Sequence, residues 1–242
     1  MKICVAQTRP VKGDIEANLY CHEKFVEAAV SIGTDLIIFP ELSITGYEPE
    51  LVKELATSQD DVRFDRFQRI ADTDRITIGI GAPLLADSGI RISQMYFQPG
   101  KPREIYSKIF LHSSEEEYFI RGDCYITLRV GDANIAPAIC YELSVVEHAK
   151  RAAMSGADIY AVSVVEGNIE KAIKRLTSVA AEHSMTVMMA NAVGKSGVYE
   201  CPGKSSIWSN RGWLIGQLDD SHEGILALDT DTGEITKQAI ES

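Results

Sequence analysis

The chain has 242 residues, of which 45% are apolar and 24% charged, enough to bury the core of one large domain. Its net charge of −11 is spread along the sequence and lacks the basic footprint that nucleic acid or an anionic membrane surface selects. No apolar stretch approaches the roughly 20 residues that cross a bilayer, and the opening "MKICVAQTRP" is too short in apolar residues for a signal peptide.

The elements alternate along the chain. "KICVAQT" reads as a buried strand. Asp14 caps a helix whose apolar positions Leu19, Val26, Ala29 and Val30 share a face, with Gly33 closing it. "DLIIFP" is a short strand stopped by Pro40, a helix follows over roughly 60–72, and "RITIGIGAPL" returns as a strand. "ISQMYFQPG" and "REIYSKIFL" flank "PGKP", which marks a hairpin. "NIAPAIC" is the next strand, although Pro137 counts against a regular central ladder there. Beyond Cys140 a helix presents Leu143, Val146, Ala149 and Ala153, and Gly156 ends it.

"DIYAVSVV" is again a strand. Asn168 then caps a helix in which Ile169, Ala172, Ile173, Leu176, Val179, Ala180 and His183 keep a 3.6-residue rhythm. "TVMMANAVG", "KSSIWS", "GWLIGQL" and "GILALD" finish as strands. No linker or repeat interrupts this order, so the expectation is one α/β domain over 1–242, with helices covering sheet faces.

The five cysteines are odd in number, form no CxxC, and have no metal-finger spacing with the five histidines. The expectation is therefore reduced thiols, a cytoplasmic setting and no bound metal. One thiol is singular in its place. Glu41 follows "LIIFP", Lys108 follows "EIYS" and Cys140 follows "IAPAI", each just past the end of a strand. Strand ends in α/β folds gather at an edge where ligands bind. A thiol attacks as its thiolate, so it needs a base or a positive neighbourhood. Cys140 before a helix would feel the positive helix end. Glu41 would move its proton, and Lys108 with the Tyr141 N–H would hold an oxyanion.

These stretches are similar to the nitrilase superfamily of carbon–nitrogen hydrolases. "FPELSITGYEP" carries the glutamate, "YSKIFLHSSEEEYFIRGD" the lysine and "AICYELSVVEHAKRAAMSGADIYAVS" the cysteine, with weaker similarity in "AEHSMTVMMANAVG" and "GKSSIWSNRGWLIG". The resemblance runs from about residue 3 to 229. It implies a single-domain αββα sandwich that pairs into an αββααββα homodimer or a higher homo-oligomer. It also implies a catalytic Glu41–Lys108–Cys140 triad, no cofactor, and a small amide or nitrile as substrate. A supporting glutamate in the family lies seven residues before the glycine of an "ExxxFxxG" stretch. Counting back from Gly122 past Phe119 gives Glu115, with Glu116 and Glu117 adjoining it.

The sequence departs from the family where the substrate pocket would be. "SVVE" follows the cysteine motif in place of arginine or phenylalanine and proline, and "SVVEGN" and "VAAEH" replace other common residues while keeping Glu182. Tyrosine after the cysteine accompanies amidases more than nitrilases, so the reading is an amidase. Nitrile or N-carbamoyl hydrolysis on the same triad, or a catalytically silent binding protein, are the alternatives. Tyr47 and Tyr141 line the site or simply pack. Cys4, Cys21, Cys124 and Cys201 read as packing residues, and His183 as a core histidine.

Overall fold

Alternation along the first strand sets the architecture. In β1 (Lys2–Gln7), Ile3 and Val5 enter one apolar cluster while Cys4 and Ala6 enter another, and all four are fully buried. A strand with successive side chains on opposite faces can do this only if both faces are covered. The computed structural model, which describes residues 1–240, covers them with a second sheet on one side and helices on the other.

The first sheet has seven strands. β1, β2 (Leu36–Ile38) and β3 (Thr77–Ala86) run parallel, and β4 (Gly89–Phe97) and β5 (Glu104–Ser107) extend one side antiparallel. β14 (Gly224–Asp229) and β15 (Ile235–Ala239) extend the other. The second sheet has six strands, with β7 (Ala133–Ile139), β8 (Ile159–Val164) and β9 (Thr186–Asn191) parallel at its centre. β6 (Leu128–Val130) flanks them on one side, and β12 (Ser206–Trp208) and β13 (Leu214–Gln217) on the other. A hairpin of β10 (Val193–Ser196) and β11 (Tyr199–Pro202) stands apart.

Three apolar layers follow from this order. Ile38, Tyr96, Ile139, Ala161 and Met188 lie between the sheets. Helix α1 (Ile15–Ser31) and α3 (Asp65–Asp74) bury Leu19, Phe25 and Phe67 against the outer face of the first sheet, while the short α2 (Val52–Leu55) adds Val52 to the layer between the sheets. Helices α4 (Val146–Met154) and α5 (Ile169–His183) bury Ala149, Leu176 and Ala180 against the second. The result is the expected αββα sandwich. The expected caps form as well: Asp14 accepts from Ala17 N at 3.0 Å and Asn168 from Lys171 N at 3.4 Å.

Several local expectations need correction. No α-helix starts at Cys140. A five-residue 3₁₀ turn, Cys140–Ser144, comes first, then extended Val145, and only then α4. Val146, read as a core position, is 78% exposed because it opens α4 on the solvent side. Pro137 is in β7 in register with Ala161, and β6 opposes only Ala133–Ile135, so the proline lies beyond that antiparallel pairing. His183 is half-buried on the groove between α4 and α5 rather than in the core, and Cys124 is exposed. β6, β11 and β15 were not anticipated. Each is a short edge or hairpin strand of three to five residues.

Candidate active site

Three strand ends deliver three side chains. Glu41 lies three residues beyond β2, Lys108 directly follows β5, and Cys140 directly follows β7. The Glu41 turn rests on β3 at Gly81, where a Cβ would stand 2.3 Å from Pro40 O and 2.6 Å from Leu42 N. Only glycine permits that approach. His22 Nε2 also reaches Ser43 Oγ at 2.9 Å, so helix α1 ties the same turn down. Lys108 is anchored through its backbone, donating to Ile92 O at 2.8 Å and accepting from Gly122 N at 2.7 Å. Cys140 has φ +44, a left-handed conformation that costs a non-glycine residue free energy and aims its side chain into the pocket between the sheets' loops.

The three expected charged residues meet in a closed set. Lys108 Nζ donates to Glu41 Oε1 at 2.8 Å and to Glu115 Oε1 at 2.7 Å, and all three side chains are essentially removed from solvent. Tyr47 OH donates to the same Glu115 oxygen at 3.0 Å, and His112 N to Glu115 Oε2 at 2.8 Å. Glu116 and Glu117 are exposed, so counting back from Gly122 selects the one buried member of the acidic run. Glu41 Oε2 is buried with no hydrogen-bond partner among the described residues. Burial raises the Glu41 pKa against the opposing charge of Lys108. Burial works against the ammonium of Lys108, yet Glu41, Cys140 and Glu115 together raise its pKa.

The surroundings of Cys140 favour the protonated thiol. Burial raises the Cys140 pKa well above the usual range, Glu41 adds to the effect, and Lys108 only partly opposes it. The α-helix expected directly after Cys140 is replaced by a single 3₁₀ turn, too short to supply the helix-end field that would favour the thiolate. The Cys140 Sγ donates to Val165 O at 3.9 Å. Attack on an unactivated amide carbonyl needs a base that takes the thiol proton in the same step, and Glu41 Oε2 is available for it.

One residue in the cysteine motif itself escaped the sequence reading. Glu142 is fully buried and accepts from Ile139 N at 2.8 Å, Ile109 N at 2.6 Å, Phe110 N at 3.2 Å and Tyr106 OH at 2.8 Å. It clamps the backbone just after Lys108 to the backbone just before Cys140. Burial lifts its pKa to about 7, with the Ile139 and Ile109 amides and Tyr106 OH opposing. Tyr106 OH also meets His148 Nε2 at 2.7 Å, and His148 Nδ1 meets Tyr160 OH at 2.8 Å. Since Tyr106 gives its proton to Glu142, these contacts assign His148 as the neutral Nε2–H tautomer accepting from Tyr160. Burial holds the His148 pKa down at about 4, consistent with that assignment. A helical reading of "CYELS" hid this role, because a buried carboxylate bound to backbone amides leaves no periodic trace.

Cys140 opens into a cavity of about 250 Å³. Tyr47, Glu115, Tyr199, Ser144, Lys171 and Arg175 are among the residues that line it. The Tyr141 ring is 39% exposed at the mouth and packs edge-on against His112 at 5.3 Å. Glu166, Lys171, Arg175 and Tyr199 were not singled out in the sequence, where each reads as an ordinary surface or strand residue. Among the described residues, no three His, Cys, Asp or Glu side chains gather as a metal-binding set.

The chain belongs to the carbon–nitrogen hydrolase family, whose model matches residues 2–239. It is 26% identical to a hydrolase in the agr operon of Staphylococcus aureus, across 98% of this chain and 94% of that protein. It is 25% identical to the glutamine-dependent NAD(+) synthetase of Thermotoga maritima, across 97% of this chain but only 42% of the synthetase. In structure it is similar to an amidase from Nesterenkonia sp. AN1, a glutamate-to-glutamine variant carrying the acetamide moiety of fluoroacetamide on its active-site cysteine. That match has a TM-score of 0.86 at 24% identity and covers 95% of this chain and 89% of the amidase.

Proposed function

We propose that this carbon–nitrogen hydrolase is an amidase that cleaves small primary amides through a thioester on Cys140. The observation that carries the reading is the buried Glu41 carboxylate, with Lys108 fixed on one oxygen and the other left to meet the Cys140 thiol. Glu41 takes the thiol proton as sulfur bonds to the amide carbon, and the carbonyl π pair moves onto oxygen. Lys108 and the Tyr141 N–H stabilise that oxyanion. Its collapse breaks the C–N bond, and Glu41 returns the proton to departing ammonia. Water then gives a proton to Glu41, adds to the thioester carbon near Glu115, and releases the carboxylic acid as Cys140 regains its hydrogen.

An amidase and a glutamine-dependent synthetase among the similar proteins accord with an amide as substrate. A homodimer that stacks two αββα units, and a cytoplasmic setting for five free thiols, belong to the same proposal. Ammonia release across amides, nitriles and carbamoyl compounds, with mass spectrometry of the stalled enzyme, tests it. An acyl adduct on Cys140 and its loss in Cys140→Ala are expected. Turnover that survives Cys140→Ala but disappears in Cys201→Ala would overturn the choice of nucleophile.

A further inference from the structure

Two cations share the pocket with Cys140. Lys171 and Arg175 are one turn apart on α5 and both line the cavity. Like charges at this spacing repel along a helix. Among the described residues, neither forms an ion pair. Arg175 is half-buried, and its Nη1 donates to Ser144 Oγ at the end of the turn that Cys140 begins. That bond holds the guanidinium in place at the pocket wall and leaves its other N–H groups for a ligand.

The carboxylates nearby are placed differently. Glu115 is engaged by Lys108, Tyr47 and His112 on the triad side. Glu166 is bound to Asn168 N at 2.7 Å and is near enough to the thiol to raise the Cys140 pKa, behind burial and the Glu41 charge. On the triad side one ammonium faces two carboxylates and the balance is negative, whereas Lys171 and Arg175 put positive charge on the α5 side of the pocket. An anionic group on a substrate is repelled from the first and held by the second.

We propose that Lys171 and Arg175 form a carboxylate subsite, so that the preferred substrate is the monoamide of a short dicarboxylic acid. The carboxylate lies at the end of the acyl chain remote from the scissile bond. Arginine offers a planar fork that matches a carboxylate's two oxygens, and lysine adds a mobile point charge at the mouth. This specificity rests on the amidase reading above, and the test separates the two.

Ammonia release is compared for dicarboxylic monoamides and for neutral primary amides of equal chain length, with wild type, Arg175→Met, Arg175→Lys and Lys171→Met. Wild type should favour the monoamide by about 10- to 100-fold in kcat/KM, the scale of a charge-assisted hydrogen bond. Arg175→Met should lower that selectivity mainly through KM, Arg175→Lys should restore part of it, and added salt should weaken it in wild type. Equal use of both amide classes, unaffected by Arg175→Met, overturns the subsite and leaves the amidase reading intact. If no amide is hydrolysed, calorimetry of short dicarboxylic monoamides with Cys140→Ala decides the subsite alone. Equal affinity in Cys140→Ala and in Cys140→Ala with Arg175→Met overturns it, and an affinity lost with Arg175 supports it.

Discussion

Lys108 Nζ is 2.8 Å from Glu41 Oε1, and both side chains are closed to solvent. Because Glu115 meets the same ammonium, one positive charge serves two carboxylates. Lys108→Met leaves those carboxylates facing each other without a counter-charge, which should cost roughly 3–5 kcal/mol of stability along with turnover. The deficit should grow with pH. Losing the cation raises the Glu41 pKa further above its unfolded value, and an acid raised in the folded state contributes stability at low pH that is lost as pH rises. Urea unfolding at acidic and mildly alkaline pH measures this; an equal deficit at both would contradict the charge account.

Glu41→Gln should move two properties in opposite directions. The Glu41 carboxylate helps to keep the Cys140 thiol protonated, while Lys108 acts against it. Replacing the carboxylate by an amide leaves Lys108 acting without that opposition, so alkylation of Cys140 by iodoacetamide near neutral pH should be faster than in wild type. Turnover should nevertheless fall by about 10²-fold or more, because the proton acceptor is gone. If alkylation slows in parallel with turnover, Glu41 is activating the resting thiol and the proposed division of labour is wrong.

How much of this was legible in the sequence depends on what each residue does. The strands and helices announced themselves because burial on one or two faces imposes a period, as Ile3, Val5, Cys4 and Ala6 show in six residues. Glu41, Lys108 and Cys140 were found because strand ends are readable and a thiol, a carboxylate and an ammonium there make a rare set. Lys171 and Arg175 were not, since two cations on a helix look like a solvated face until the fold supplies the opposite wall. Glu142 was hidden for a different reason: its partners are backbone amides from two distant segments, and backbone amides carry no sequence signature.

Glu142→Gln tests whether that clamp orients the site. Both oxygens of Glu142 accept, Oε1 from Ile109 and Phe110 and Oε2 from Ile139 and Tyr106. A glutamine has one acceptor oxygen, so its NH₂ must face donors on one side. The loss should be roughly 2–3 kcal/mol of stability, the worth of hydrogen bonds to a charged group plus an unpaired buried donor. Turnover should fall more than KM rises, because Lys108 and Cys140 lose their shared anchor while the pocket walls stay. Tyr106→Phe, which removes one donor to Glu142 and leaves His148 Nε2–H unpaired but keeps the backbone clamp, should lower kcat much less. Near-wild-type kcat in a folded Glu142→Gln protein would show that the clamp serves stability alone.

His22 should make the Glu41 turn sensitive to acid. It is fully buried, its Nδ1 is 2.6 Å from Asn18 O and its Nε2 2.9 Å from Ser43 Oγ, two residues beyond Glu41. Burial lowers its pKa from 6.5 to about 4. A base depressed in the folded state stabilises fully above its unfolded pKa, and that contribution is lost as pH falls through the folded pKa. Between pH 6.5 and 4 the share from His22 is on the order of 3 kcal/mol, at 1.36 kcal/mol per pKa unit. His148, also held at about 4 by burial, acts in the same direction. His22→Gln keeps a donor for Asn18 O and an acceptor for the Ser43 hydroxyl but does not titrate. The variant should be less stable at neutral pH, through poorer packing against Phe39, whose ring stacks on His22 at 4.1 Å. Its stability should then fall less steeply on acidification than that of wild type. Urea unfolding of both proteins across that range gives the two slopes, and identical slopes would rule out His22 as a source of acid sensitivity.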